Sequence, residues 1–142
     1  RYSWIDNNEI TFPVGFTKNK REHVVPLGLI AMSLIEGLPE SVDLLFPSRF
    51  DDETPFNGWS KAKRAFDEPL GIVPYTLHDL RRTYSSTMAK LGTPIHVTEK
   101  LLNHVSGTIS GVAAVYNRHS YQSEMRVAAE AYEQYLAALF AD

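Results

Sequence analysis

The stretch YTLHDLRRTYSSTMAKLG, residues 75–92, decides how the chain is interpreted. Thr76 and Asp79 have the spacing of a capping box, which predicts a helix that begins there, and Gly92 predicts where that helix ends. Five residues within it recur at helical spacing and are expected to face the core: Leu80, Tyr84, Thr87, Met88 and Leu91. The stretch is therefore predicted to be a central helix of the fold.

Three basic side chains, His78, Arg81 and Arg82, fall within the first turns of this predicted helix. His78 and Arg81 are three residues apart and share a face, and the backbone N–H groups of a helix start favour an anion. A planar guanidinium can also grip two phosphate oxygens at once. The helix alone leaves two interpretations open, a phosphate site or an exposed basic turn that pairs with nearby acids.

Size and composition indicate one folded domain. The chain has 142 residues, of which 44% are hydrophobic, so it can build one core but is too short for two domains of ordinary size. It contains no cysteine, which excludes a disulfide scaffold, a thiol nucleophile and a zinc site built on sulfur, and favours a cytoplasmic location. No apolar run approaches the roughly 18 residues of a membrane span, so we expect no membrane association.

The charge is unevenly distributed along the chain. A net charge of −3 argues against a uniformly basic surface for nucleic acid. The segments TKNKR (17–21) and HDLRR (78–82) are nevertheless locally basic, whereas the acids gather in DLLFPSRFDDE (43–53) and near the C-terminus. Binding to a polyanion therefore remains open at the two basic segments.

The N-terminal segment has the pattern of a small antiparallel sheet. YSWID (2–6) and EITFPV (9–14) flank the turn residues Asn7 and Asn8 and are predicted to form a hairpin. REHVVPL (21–27) is predicted to add a third strand.

The rest of the chain has mainly helical patterns. Besides the central helix, we expect helices over 29–38, over 59–71 with an N-cap at Asn57, over 94–104 and over 121–140. The last of these is amphipathic, with an apolar side formed by Met125, Ala128, Tyr132, Leu136 and Leu139.

A further short helical piece is predicted over 112–117. The fold class that follows is α+β and mainly helical, with a small antiparallel β-sheet at the N-terminal edge followed by a helical bundle.

Four segments of the chain resemble the tyrosine recombinases, the phage-type integrases. HDLRRT (78–83) matches the His-x-x-Arg box of that family, and TKNKREHVVPLG (17–28) resembles its lysine-bearing turn followed by a strand. LLNHVSG (101–107) is similar to its Leu-Leu-x-His box, and VAAVYNRHSY (112–121) to the segment that carries the nucleophilic tyrosine. All four occur in the family's order, so nearly the whole chain resembles the catalytic domain.

The resemblance implies a role for four of these residues. Tyr116 would attack a DNA phosphodiester and form a 3′-phosphotyrosyl link, while Arg81 clamps the non-bridging oxygens. His78 would assist proton transfer and phosphate binding, and His104 would donate a hydrogen bond to the phosphate. A phenol with an unperturbed pKa of about 10 needs such cations and a proton acceptor to react at neutral pH.

Other tyrosines compete with Tyr116, which is identified by its place in VYNR. Tyr121 begins the last predicted helix and is interpreted as a core or boundary aromatic. Tyr75 and Tyr84 flank the basic helix start and are expected to pack.

The resemblance also implies a lysine that protonates the leaving 5′-oxygen. Counting back from VPLG gives Lys18, and Lys20 stays open as the alternative; from spacing alone, both would be solvated turn residues. Lys20, Arg21 and Arg82 are predicted DNA contacts.

The implied function is site-specific DNA recombination, the integration or excision of phage or mobile-element DNA. The implied partners are double-stranded DNA and further copies of the protein, in a tetramer assembled on DNA through the C-terminal helix. The mechanism needs no cofactor, and the histidines lack metal-ligand spacing, so we expect no metal. The alternative is a non-catalytic DNA-binding or protein-interaction module that retains the fold.

The chain departs from the family in one respect. The family uses two phosphate-clamping arginines, and the first lies in a Gly-x-Arg-x-x-Glu helix upstream of the hairpin. Neither that segment nor the N-terminal DNA-clamping domain occurs in the sequence. We therefore expect residues 1–142 to be the C-terminal catalytic domain of a recombinase, truncated on its N-terminal side.

Overall fold

Residues 1–104 and 119–141 are described by the structure, a computed structural model. Their sheet has three antiparallel strands in the order β1 (Ile5–Asp6), β2 (Glu9–Phe12) and β3 (His23–Pro26). Asn7 and Asn8 form the β1–β2 turn in the left-handed region, with φ of 48° and 59°, which asparagine tolerates. The predicted hairpin and third strand are confirmed.

All three strands are shorter than predicted, and 3₁₀ turns with aromatic contacts flank β1 and β2. Tyr2–Trp4 and Val14–Phe16 form 3₁₀ turns instead of strand. The Trp4 ring packs edge-on against Phe12 and Phe16, with centroids 6.0 and 4.8 Å apart. This cluster closes the outer end of the hairpin.

The described residues contain five α-helices, in agreement with a mainly helical α+β fold. They are α1 (Leu29–Glu36), α2 (Trp59–Asp67), α3 (Leu77–Lys90), α4 (Ile95–Leu101) and α5 (Gln122–Phe140). No helix within 1–104 and 119–141 has the length and apolarity that a membrane span requires. The short helical piece predicted over 112–117 lies outside the described residues.

The core lies where α3, α4, α5 and β3 meet. Its buried members are Met88, Val97, Leu101, Met125 and Ala128. Val25, Tyr84, Tyr121 and Tyr132 pack around them. The core therefore joins the N-terminal sheet to the C-terminal helix and fixes α3 and α4 between them.

Two residues of the predicted apolar face of α3 do not face the core. Leu80 is 54% exposed and Leu91 is 36% exposed, whereas Met88 is fully buried. The prediction for Leu80 and Leu91 is wrong because the neighbouring elements bury α3 at Thr87 and Met88, whereas Leu80 lies in the first turn and Leu91 beyond the last residue of the helix. Leu139, near the end of α5, is likewise 55% exposed although helical spacing assigned it to the apolar side.

The predicted N-cap of α2 is also wrong. Gly58 occupies the N-cap, and no side chain caps the helix. The Phe56 ring lies 2.8 Å from where a Cβ on Gly58 would be, so this close approach favours glycine at the helix start.

Helix α1 is capped by a residue from the other end of the chain. The Glu133 carboxylate of α5 accepts hydrogen bonds from the backbone N–H groups of Ile30 (3.1 Å) and Ala31 (2.9 Å). Gly28 permits this, since a Cβ there would lie 2.1 Å from Glu133 Oε2. The C-terminal helix therefore fixes α1 as well as the core.

Candidate active site

The start of α3 is fixed by the predicted capping box. Thr76 Oγ1 accepts a hydrogen bond from the Asp79 N–H (3.3 Å), and Asp79 Oδ2 accepts one from the Thr76 N–H (2.8 Å). The bond from the Thr76 hydroxyl, its backbone bond and the bond from Arg82 lower the pKa of Asp79 to about 2. His78 therefore lies in a well-defined first turn, with Arg81 one turn later.

Arg81 is half-buried and held by the backbone of another helix. Its Nη2 donates a hydrogen bond to the carbonyl oxygen of Leu102, just after the end of α4. The last carbonyls of a helix have no partner within the helix, so this bond satisfies one of them. The same bond fixes the Arg81 guanidinium beside the residues that lead to His104.

His104 follows a chain reversal at the end of α4. Asn103 has φ of 53°, a left-handed conformation that turns the backbone after Leu102. The His104 ring is then oriented by Glu99, whose Oε1 lies 3.0 Å from Nδ1. This contact leaves Nε2 to bind a ligand, an arrangement in which a carboxylate orients a functional imidazole.

These side chains line one open cleft of about 250 Å³. Its lining residues are His78, Arg81, Arg82, Ser85, Ser86, Leu102 and His104. The structure thus brings together three of the residues predicted for the site, His78, Arg81 and His104, from both sides of the α3–α4 connection. The hydroxyls of Ser85 and Ser86 add polar groups that sequence reasoning did not single out.

Arg82 lies at the same cleft but is more exposed than Arg81. It forms an ion pair with Asp79 at 2.6 Å, and its side chain is 71% exposed. The sequence analysis predicted Arg82 as a DNA contact, and this exposure is compatible with that prediction.

The predicted basic turn lies between β2 and β3. Lys18, Lys20 and Arg21 are all exposed. The turn is joined to the end of α4 by a hydrogen bond from Asn19 Nδ2 to Asn103 Oδ1 at 2.6 Å. The lysines are therefore on a segment that contacts the residue next to His104.

His23 on β3 is a neighbour of the site that sequence reasoning missed. It is half-buried and stacks on Phe12, with ring centroids 6.2 Å apart. Burial lowers the pKa of His23, a backbone hydrogen bond to Leu101 opposes that shift, and the charge of Arg81 adds to it. A histidine among the apolar residues of HVVP was the signal that could have identified it.

Tyr116 lies outside the described residues, whereas its rivals have packing roles. Tyr121 is the N-cap residue of α5, and its ring lies against the core and 4.7 Å from His96. Tyr84 packs edge-on to Tyr132, and burial, followed by that neighbour, raises its pKa to about 12. Tyr75 lies under the Lys63 ammonium, 3.7 Å from ring centroid to Nζ. These three tyrosines pack as expected, and the choice of Tyr116 as the nucleophile stays a prediction.

The comparison with known families decides the identity of the chain. The sequence profile of the phage integrase family matches residues 1–123. The chain belongs to the phage integrase family. Its tyrosine recombinase resemblance is thereby confirmed, and family membership supports DNA binding and site-specific DNA recombination as its general activity.

Two further findings concern similar proteins and the kind of ligand that the cleft can hold. Neither the curated proteins nor the solved structures gave a significant match to this integrase-family chain. In the part of the chain that the structure describes, no group of three His, Asp or Glu side chains is arranged to hold a metal ion. The cationic and hydrogen-bonding groups of the cleft instead suit an anionic phosphate.

Proposed function

We propose that this protein cuts and rejoins DNA at specific sites through a phosphotyrosyl intermediate formed by Tyr116. The observation that carries the proposal is the shared cleft of His78, Arg81 and His104, because it offers an imidazole pair and an anchored guanidinium to one phosphate. Preorganised donors of this kind stabilise the charge that develops on a phosphoryl group during transfer.

The proposed reaction conserves the number of phosphodiester bonds. The Tyr116 hydroxyl oxygen attacks phosphorus while Arg81 binds the non-bridging oxygens and a histidine accepts the phenolic proton. The bond from phosphorus to the 5′-oxygen breaks, and that oxygen takes a proton from Lys18. Rejoining reverses each step, with a 5′-hydroxyl as nucleophile and tyrosine as leaving group, so no ATP is needed.

The proposal includes assembly of several copies on DNA through α5. This helix ends in the exposed apolar residues Leu139 and Phe140, which are 55% and 79% exposed. Apolar side chains of this kind at a helix end support contact with another protein surface. Integration or excision of a mobile DNA element is the cellular role that such an assembly would serve.

The nucleophile is tested in the full-length protein by trapping the covalent intermediate. A duplex selected by the protein from a random-sequence pool is nicked beside the scissile phosphate, so that the short released strand diffuses away. Tyr116→Phe is expected to bind this DNA and to give no SDS-resistant complex. Tyr121→Phe is the matched control and is expected to give the complex.

Two results would contradict the proposal. If Tyr116→Phe still forms the covalent complex and Tyr121→Phe does not, the nucleophile is misassigned. If the wild-type protein binds the selected DNA and forms no covalent complex, it is the alternative, a DNA-binding module that retains the fold.

A further inference from the structure

The turn that carries the two lysines is attached to the end of α4 through the amide of Asn19. Its Nδ2 donates to Asn103 Oδ1 at 2.6 Å, across 84 residues of sequence. Its Oδ1 accepts a hydrogen bond from the Arg21 N–H within the same turn, at 3.2 Å. Both ends of the amide are thus used, one to shape the turn and one to hold it against α4.

The other hydrogen bonds of the turn are local. Thr17 Oγ1 bonds to the Arg21 carbonyl (2.6 Å) and N–H (3.1 Å), and the Lys20 N–H donates to the Thr17 carbonyl. Thr17 Oγ1 also donates to the Val14 carbonyl (3.3 Å), which belongs to the same β2–β3 connection. Among the residues that the structure describes, the bond to Asn103 is the one hydrogen bond that leads from 17–21 out of that connection. The placement of the turn relative to α4 therefore depends on that bond.

Asn103 occupies a position whose backbone does not require its side chain. Its φ of 53° is the left-handed conformation that glycine adopts without steric cost. The asparagine side chain supplies what glycine would lack, an acceptor for Asn19. Asn103 also lies between Leu102, whose carbonyl anchors Arg81, and His104 of the cleft.

We propose that the Asn19–Asn103 hydrogen bond sets the position of the lysine turn at the phosphate cleft, which makes Asn19 and Asn103 positioning residues for protonation of the leaving oxygen. This inference rests on the proposed strand cleavage. The general acid must come within hydrogen-bond reach of the 5′-oxygen, and a displacement of about 1 Å can cost on the order of a hundredfold in rate. A bond that holds the turn to the residue beside His104 controls that distance.

The test uses two substrates in single-turnover cleavage by the full-length protein. One is ordinary DNA, and the other carries sulfur in place of the 5′-bridging oxygen at the scissile phosphate. A thiolate leaves without a proton because a thiol is far more acidic than an alcohol, so the second substrate does not need the lysine. Asn103→Gly and Asn19→Ala remove the hydrogen bond, and Asn103→Asp keeps an acceptor for Asn19.

The expected result is a loss of about tenfold to a hundredfold on ordinary DNA for Asn103→Gly and for Asn19→Ala. On the sulfur substrate the same variants should cleave within about twofold of wild type, because the positioned proton donor is no longer used. Asn103→Asp should retain most of the wild-type cleavage rate on ordinary DNA. The double variant should lose no more than the worse single variant, since both remove the same bond.

Equal losses on both substrates would overturn the inference, because they would show that the bond supports the fold of the site as a whole. Unchanged rates on ordinary DNA would overturn it as well. A wild-type protein that cleaves neither substrate would overturn the proposed function itself, and the inference with it.

Discussion

Arg81 and Leu102 are joined by a hydrogen bond from the guanidinium Nη2 to the backbone carbonyl oxygen, which couples α3 to the end of α4. A guanidinium has five N–H donors, so this bond leaves others to grip phosphate oxygens. The bond orients the group before a ligand arrives. We therefore expect Arg81, under the proposed mechanism, to stabilise the transition state more than to add affinity for DNA.

Replacing Arg81 with alanine is expected to reduce the cleavage rate at least about a hundredfold, or roughly 2.7 kcal/mol, with a modest change in DNA affinity. Arg81→Lys should also be slow, because an ammonium cannot hold Leu102 and two phosphate oxygens in the same plane. Single-turnover cleavage and equilibrium binding measure the two quantities. Arg82→Ala is the matched control: it should weaken binding and lower the salt dependence with little effect on rate. Equal losses of rate and affinity in Arg81→Ala would contradict this role.

The roles of the two lysines of the turn, Lys18 and Lys20, can be distinguished by comparing cleavage of ordinary DNA with cleavage of the 5′-sulfur substrate. Lys18→Ala is expected to slow cleavage of ordinary DNA by about a hundredfold or more and to leave cleavage of the 5′-sulfur substrate nearly unchanged. Lys20→Ala should affect both substrates to the same small extent, as the loss of one backbone contact does. Cleavage time courses on the two substrates give the comparison. The reverse pattern would assign the general acid to Lys20.

Acidification should destabilise the fold in part through His23. Its pKa is lowered in the folded state by burial, so the folded protein takes up this proton less readily than the unfolded chain. The neutral ring contributes its full stability above the unfolded pKa of about 6.5, and this contribution is lost as the pH falls through that value towards the folded pKa. His23→Gln should therefore lose less stability than wild type on acidification.

Urea unfolding at about pH 8 and pH 5 checks this expectation. Because His23 is only half-buried, solvent screening should keep the difference between wild type and His23→Gln small. If His23→Gln and wild type lose the same stability, the half-buried imidazole of His23 does not contribute to the acid response.

The cap that Glu133 provides to α1 should be measurable as stability. Glu133→Ala leaves the N–H groups of Ile30 and Ala31 without their acceptor and is expected to cost about 0.5–2 kcal/mol. Glu130→Ala, at an exposed position of α5, should change stability by less than about 0.5 kcal/mol. The midpoints of urea unfolding give both values. A cost in Glu130→Ala as large as that in Glu133→Ala would show that the helix, and not the cap, is affected.

The features that the sequence predicted correctly depend on neighbours along the chain. The capping box of Thr76 and Asp79 involves residues three apart, and the Asn7–Asn8 turn is set by asparagine's tolerance of positive φ. The His-x-x-Arg spacing likewise gives a shared helical face wherever α3 lies in the fold. These local rules hold before any tertiary contact forms.

The features that the sequence did not predict depend on contacts between distant segments. The bonds from Asn19 to Asn103 and from Arg81 to Leu102 join residues 84 and 21 positions apart, and no local pattern encodes them. The exposure of Leu80 has the same origin: helical spacing gives a face, but neighbouring elements decide how much of that face they cover. The roles of the cleft residues and of Tyr116 stay predictions that the cleavage experiments test.

The connection between β2 and β3 runs from Pro13 to Glu22, and its ends are fixed by the pairing of Phe12 with His23. The entropy of closing a loop grows slowly with its length, so an inserted residue should change the folding equilibrium little. The same insertion would shift Asn19 along the loop relative to Asn103 and move the lysines with it. Folding should therefore tolerate insertions and deletions in this loop better than DNA cleavage does. A protein with one extra residue here is expected to fold normally but to cleave DNA more slowly than wild type.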